Sequence, residues 1–221
     1  MTEHQTLNTV VHAAFRRTIA RFDGALATFP DGSQQRADQL NRAWDFFEEE
    51  LHHHHDYEEK YFWPALQQTD ADLSAVAELD SEHEAMREAL RHATQTMVAL
   101  RATPTTDNAV SARTAVAHLG EVLLNHLSHE ERDLEPISAA YQDSPPMKAA
   151  LKQVKKAHLK SMGNFVEWLQ DGADATDIAG MRKELPPPVI FLFGKIAGRR
   201  YRREIAPTWR PTAPTGSAQA D

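Results

Sequence analysis

Two eleven-residue segments align without gaps: His54-His55-Asp56-Tyr57-Glu58-Glu59-Lys60-Tyr61-Phe62-Trp63-Pro64 and His126-Leu127-Ser128-His129-Glu130-Glu131-Arg132-Asp133-Leu134-Glu135-Pro136. Each carries a histidine, a Glu-Glu pair four and five residues on, and a proline at the tenth position after the histidine. They lie 72 residues apart. A fainter echo precedes each: His12-x-Ala-x-Arg16 and His83-x-Ala-x-Arg87, 71 residues apart. On a helix, residues i and i+4 sit one above the other. An imidazole and a carboxylate so placed can reach one metal ion, or the carboxylate can span two. His54/Glu58 and His126/Glu130, with His12 and His83, make four imidazoles and two carboxylates. Two divalent ions ~3.5–4 Å apart need more donors than these, which leaves positions for solvent and a small exogenous ligand. Nitrogen and oxygen donors without thiolate suit iron and, less specifically, manganese or zinc.

Positioning these groups requires helices. Glycine is scarce, at nine residues, and no segment alternates as a strand would. Breakers predict four long helices: Thr6 to Thr28, Ser33 to Gln68, Asp72 to Arg101 and Thr106 to Tyr141, with Ser33 and Asp72 as N-caps. Their seam positions step by three and four, with a step of seven after Glu58 and after Glu130: His12, Phe15, Ile19, Phe22, Leu26; Leu40, Trp44, Phe47, Leu51, His54, Glu58, Ala65; Leu73, Val76, Asp80, His83, Met86, Leu90, Ala93, Met97, Leu100; Val116, Leu119, Leu123, His126, Glu130, Ile137. Short loops between long helices imply antiparallel neighbours, so the expected fold is all-α: an antiparallel up-down-up-down four-helix bundle with a C-terminal helical extension. The repeat makes it a duplicated helix pair. The expected organisation is a bundle over 1–141, a helical extension over 142–210 packed on it, and a disordered tail over 211–221. Within the extension, Pro146 to Gln170 reads as one helix and Asp174 to Leu185 as a short segment. An apolar stretch, Val189 to Ile196, should dock the basic stretch Lys195 to Arg203 on the acidic bundle.

A lone histidine on an apolar helical face is ordinarily a hydrogen-bonded core residue, and a Glu-Glu pair is ordinarily solvated. Six such groups on four inward seams are another matter. Buried unpaired, each would cost several kcal/mol, against the ~5–15 kcal/mol stability of a domain. A shared cation removes the conflict.

Composition limits the alternatives. At 41% hydrophobic and 25% charged, the 221 residues are those of a globular protein. The absence of cysteine excludes disulfides, thiolate metal sites, iron–sulfur clusters and cysteine nucleophiles. A net charge of −8 argues against nucleic-acid binding. The polar start, Met1-Thr2-Glu3-His4-Gln5, lacks a signal-peptide core, and Val189-Ile190-Phe191-Leu192-Phe193 is too short to span a bilayer, so a cytoplasmic location without a membrane span is expected. No GxGxxG, P-loop or G-x-S-x-G pattern occurs.

His12, His54-x-x-x-Glu58, His83 and His126-x-x-x-Glu130, with Pro64 and Pro136, resemble the H…HxxxE…H…HxxxE pattern of the bacterial hemerythrin-like, or HHE cation-binding, domains, over roughly residues 4–140. The resemblance implies an antiparallel four-helix bundle around a non-haem di-iron centre. His12, His54, His83 and His126 would be terminal ligands, Glu58 and Glu130 would bridge the two irons, and an oxo or hydroxo group would complete the bridge, with zinc or manganese as substitutes. It further implies handling of a small oxidant (O2, H2O2 or NO), as in oxidative or nitric-oxide stress, either as a di-iron oxidoreductase served by an electron donor or as a non-catalytic oxygen or iron sensor or store. The sequence departs from the family in three places. Both motifs end in Glu, where the invertebrate oxygen carriers have one Asp and a longer histidine set. Leu134-Glu135-Pro136 lacks the usual aromatic before the proline. Residues 142–221 lie outside the pattern.

Of the other histidines, His55 with Glu59 forms a rival pairing one position off the seam, and the seam favours His54/Glu58. His129 is off-seam, a neighbour of a ligand or solvated. His4, His92, His118 and His158 have no matched partner and read as solvent or ordinary core residues. Asp80, one turn before His83, is placed to orient that imidazole. Tyr57 and Trp44 suit aromatic packing. No general acid or base is assignable.

Overall fold

The computed structural model describes residues 6–74 and 76–210, so the expected tail over 211–221 and His4 lie outside the described residues. Among the described residues every regular element is helical. The first is α1 (Leu7–Ala27), started by a reciprocal cap in which Thr6 Oγ1 accepts from the Thr9 amide and Thr9 Oγ1 from the Thr6 amide. Ser33 caps α2 (Gln34–Tyr57), as expected. A π-helical turn, Glu58–Phe62, and a short α3 (Trp63–Leu66) carry the same rod onward. Then come α4 (Val76–Ala102) and α5 (Thr106–Asp133), the latter capped by Thr105.

The seam residues of α1, α2, α4 and α5 are buried almost throughout; Phe15, Phe22, Leu40, Phe47, Met97 and Leu119 are fully enclosed in one shared core. The α4/α5 and α1/α5 pairs make the most extensive contacts, followed by α2/α4, with α1/α2 smaller. The loop after α1 meets the loop after α4: the Gly32 amide donates to Pro104 O at 2.7 Å, and the Thr106 amide to Asp31 Oδ1 at 2.8 Å. A second, smaller apolar cluster gathers Trp63, Leu66, Leu79, Leu134 and Met147. Along the chain, His54 and Glu58 fall between Leu51 of the first cluster and Trp63 of the second, His83 between Leu79 and Met86, and Glu130 between Leu127 and Leu134.

Four expected boundaries shift. Both motif prolines disturb the α-helical ladder, because proline lacks the amide hydrogen and crowds the carbonyl four residues back. Before Pro64 the ladder widens to a π turn, with the Trp63 amide donating to Glu58 O. Before Pro136 the helix stops at Asp133, Leu134 intervenes, and α6 (Glu135–Tyr141) follows. Asp72 caps no helix; its carboxylate accepts from the Ser74 amide in a local turn, and α4 begins later. The helix expected over Pro146 to Gln170 is two, α7 (Pro145–His158) and α8 (Met162–Gln170), interrupted where Ser161 Oγ donates to His158 O.

Beyond α8 lie α9 (Ala175–Glu184), capped by Asp174, and α10 (Pro187–Leu192), which runs into π turns over Phe193–Ala197 and Tyr201–Ile205. Contacts tie α1 to α8 and α9, and α2 to the turn at Tyr201. Arg17 Nη1 donates to Asp177 Oδ2 at 2.6 Å, and Trp168 Nε1 to Thr18 Oγ1 at 3.0 Å. The basic stretch is partly paired, Arg202 with Glu167 at 2.8 Å and Arg200 with Glu49 at 3.8 Å. Its apolar neighbours divide: Ile190 is buried, whereas Phe191, Leu192 and Ile196 are more than half exposed, because Ile190 and Gly194 take the inward positions of that helix. No helix among the described residues is long and apolar enough to cross a membrane.

Candidate metal centre

All six residues singled out by spacing converge, and a seventh joins them. One group holds His12, His54, Glu58 and Glu130; the other holds His55, Glu58, His83 and His126, with the donor atoms of each group within 4.8 Å of one another. Glu58 spans the two, with Oε1 3.1 Å from His54 Nε2 and Oε2 3.5 Å from His83 Nε2. Glu130 Oε2 lies 3.3 Å from His12 Nε2 and 3.9 Å from His126 Nε2. His12 and His54 face each other through Nε2 at 3.2 Å, as do His83 and His126. Two nitrogens bound ~2.1 Å from one ion at a right angle sit about 3 Å apart, so both pairs are spaced as neighbours on a cation.

The outer ring nitrogens fix the tautomers. His12 Nδ1 donates to Glu131 Oε1 at 2.9 Å, and Arg16 clasps the same carboxylate at 2.7 and 2.9 Å. His83 Nδ1 donates to Glu59 Oε1 at 2.7 Å, which also accepts from Arg87 at 3.1 Å. The second Glu of each motif thus holds the single histidine of the other half of the repeat, and the Arg four residues after that histidine holds the Glu. His126 Nδ1 donates to Glu82 Oε2 at 2.9 Å, and His129 Nδ1 to Glu82 Oε1 at 2.7 Å. Asp80, by contrast, is exposed; Glu59 and Glu82 do the orienting. With Nδ1–H engaged, a neutral imidazole turns its Nε2 lone pair inward. His83 and His126 therefore oppose two lone pairs at 3.2 Å, an arrangement a cation relieves.

Charge gives the same answer. Burial lowers His54 and His55 well below the ordinary histidine value, helped by neighbouring imidazoles, and burial also lowers His83 and His126. For His12, burial is outweighed by Glu130 and Glu131, which push it up to about 9. Burial beside Glu130 raises Glu58, while the imidazoles hold Glu130 low despite its own burial. Both Glu58 oxygens, Glu130 Oε2 and His55 Nε2 are buried without a hydrogen-bond partner. Orphaned inward donors of this chemistry fit divalent transition ions bound through nitrogen and oxygen.

Sequence reasoning set His55 aside. Its ring centroid lies 4.3 Å from that of His83, and it is buried. Its position in the repeat is Leu127, so no echo marks it, and only the run His52 to His55 hints at a donor off the seam. Glu59, its supposed partner, serves His83 instead. Glu135, at the place of the missing aromatic, joins the centre through Asn8, whose Nδ2 donates to Glu130 Oε1 at 3.0 Å and Glu135 Oε2 at 3.2 Å. Trp44 is core, with Nε1 donating to Thr94 Oγ1 at 2.9 Å. His92 and His118 are exposed.

A cavity of about 270 Å³ adjoins the centre, with His54, Glu58 and Glu130 on one side and Leu151, Val154, Met162 and Phe165 of α7 and α8 on the other. Residues 8–138 match the family model described as the hemerythrin HHE cation binding domain. No curated protein and no solved structure matches the chain.

Proposed function

The chain belongs to the hemerythrin HHE cation-binding family, and from that premise we propose that it holds two iron ions and handles a small oxidant, O2, H2O2 or NO, in the cavity beside them. His12, His54, His83 and His126 would be terminal ligands, His55 a further donor to the ion shared by His83 and His126, and Glu58 and Glu130 the bridges. The observation that carries this reading is the reach of Glu58 and Glu130 across both donor groups. Bound iron supplies one-electron redox cycling and an open position for the oxidant. The protein's own groups do the rest. Glu131, Glu59 and Glu82 hold the imidazole tautomers, Arg16 and Arg87 hold two of those carboxylates, and Phe15 and Trp63 pack on His54 and His83 at 5.4 and 5.0 Å and keep water away.

We further propose that α1, α2, α4 and α5 form an antiparallel up-down-up-down bundle within 1–141, with 142–210 packed against it. The meeting of the two loops at Gly32 and Pro104 supports this. The enzyme reading is tested by peroxide consumption by iron-loaded protein supplied with a reductant. Many equivalents consumed per chain is the expected result. Arrest at one equivalent per iron pair would overturn turnover and favour a sensor or store.

A further inference from the structure

The cavity has a second polar wall, where α2 faces α7. Glu50, His53 and His158 bring one donor atom each within 4.8 Å of one another. Glu50 and His53 stand at i and i+3 and so share a face of α2. His158 closes α7, beyond residue 138, where the family match ends.

Three observations mark this group as built to hold something. Glu50 is 3% exposed and His158 5%, so a carboxyl and an imidazole have been taken out of water together. His158 Nε2 and His53 Nδ1 are buried without hydrogen-bond partners. The closest approach of Glu50 to His158, 3.7 Å, is too long for a hydrogen bond. Arg200, whose charge acts on Glu50, is half exposed and lies 3.8 Å from Glu49.

The rings are also fixed. His53 stacks on Tyr57 at 5.7 Å with planes 2° apart, and meets His158 edge-on at 5.5 Å. Phe165 covers His158 at 4.6 Å. Tyr57 Oη lies 3.3 Å from His158 Nδ1, which leaves Nε2 as the nitrogen turned to Glu50.

We propose that Glu50, His53 and His158 form a third, mononuclear metal site for a divalent first-row transition ion. Two imidazoles and one carboxylate are the donor set of zinc(II) and non-haem iron(II) sites with an open position. Donors on a tetrahedral zinc with bonds of ~2.0–2.1 Å sit about 3.3 Å apart, so the observed group is a slightly open form of that geometry. The fourth position faces the cavity that the bundle's metal pair also borders. An organising role for the extension follows: through His158 it completes a site that the bundle alone leaves one ligand short.

The test is a zinc(II) titration of metal-free, full-length protein by equilibrium dialysis with elemental analysis. The wild type binds three ions per chain, and His158→Ala and Glu50→Gln each bind two. Glu50→Gln preserves shape, so its lost ion reports ligation rather than misfolding. A wild-type count lowered by Glu130→Ala but untouched by His158→Ala and Glu50→Gln overturns this site and leaves the bundle centre standing. Loss of one ion in those two variants, with no change in Glu130→Ala, supports this site and sinks the bridging role of Glu130.

Discussion

Glu58 is pushed up by burial and by Glu130 while Glu130 is held low, although they occupy equivalent places in the repeat, and His12 beside Glu130 is the main source of the difference. Held at about 9 by Glu130 and Glu131, His12 carries a proton at neutral pH that a metal must displace. Metal affinity should therefore rise about tenfold per pH unit from 7 towards 9 and then level off, with the slope lost in His12→Gln. A pH-independent affinity in the wild type would refute this. In the metal-free chain the raised value runs the other way: the His12 contribution to stability is present in full below about 6.5 and is lost as pH rises through about 9. Glu58→Ala or Glu130→Ala should cost at least one of the proposed pair of metal ions, and near-wild-type metal content in both would end the bridging assignment. Glu59→Gln and Glu131→Gln leave every ligand in place and should weaken binding by about 10–100-fold, read by competition with a chelator. The six seam residues could be read from periodicity because ligand and core positions share one spacing. Glu59, Glu131, Arg16 and Arg87 were visible in the repeat, but their roles depend on which helix each one faces. His55 left no periodic trace.

At the scale of elements, the helices were legible where a cap or a breaker stands at the boundary, as at Thr6 and Ser33. They were less legible where proline alters a helix without ending it. The π turn before Pro64 adds a residue to one turn, which a count of threes and fours cannot register. The break between α7 and α8 was missed because both halves are apolar on one side. A Cβ on Gly163 would come 2.4 Å from the Ala197 backbone, so α8 crosses the turn at Phe193–Ala197 with backbone almost against backbone. Gly163→Ala should destabilise the protein by about 1–3 kcal/mol in urea unfolding, because main chain cannot step aside as a side chain can. Gly24 in α1 has nothing within 4 Å of its would-be Cβ, so Gly24→Ala should stabilise by about 0.5–1 kcal/mol through helix propensity alone. Equal effects at the two sites would mean that close packing at Gly163 has no energetic weight.

For the molecule as a whole, the extension is joined to the metal centre by a chain of aromatic contacts. Trp168, 2% exposed on α8, meets Phe15 at 5.0 Å and Phe46 at 6.0 Å, and Phe15 in turn lies 5.4 Å from His54. Polar links flank it: Arg17 reaches Asp177, and Arg21 and Tyr201 share Asp171, with Tyr201 Oη donating at 2.8 Å. None of this has a counterpart in the repeat, so the sequence could suggest an extension but not which face of α1 and α2 it covers. Truncating the indole leaves a cavity behind the ring that backs His54, and Trp168→Ala should cost about 3–5 kcal/mol. For a chain of this length that lowers the melting temperature by on the order of 10 °C. Because Phe15 loses its support, the same variant should release metal to a chelator faster than wild type while binding the same number of ions. A lower melting temperature with unchanged release would show that the extension stabilises the bundle without steadying its ligands, and would confine its influence on the centre to the wall it lends the cavity.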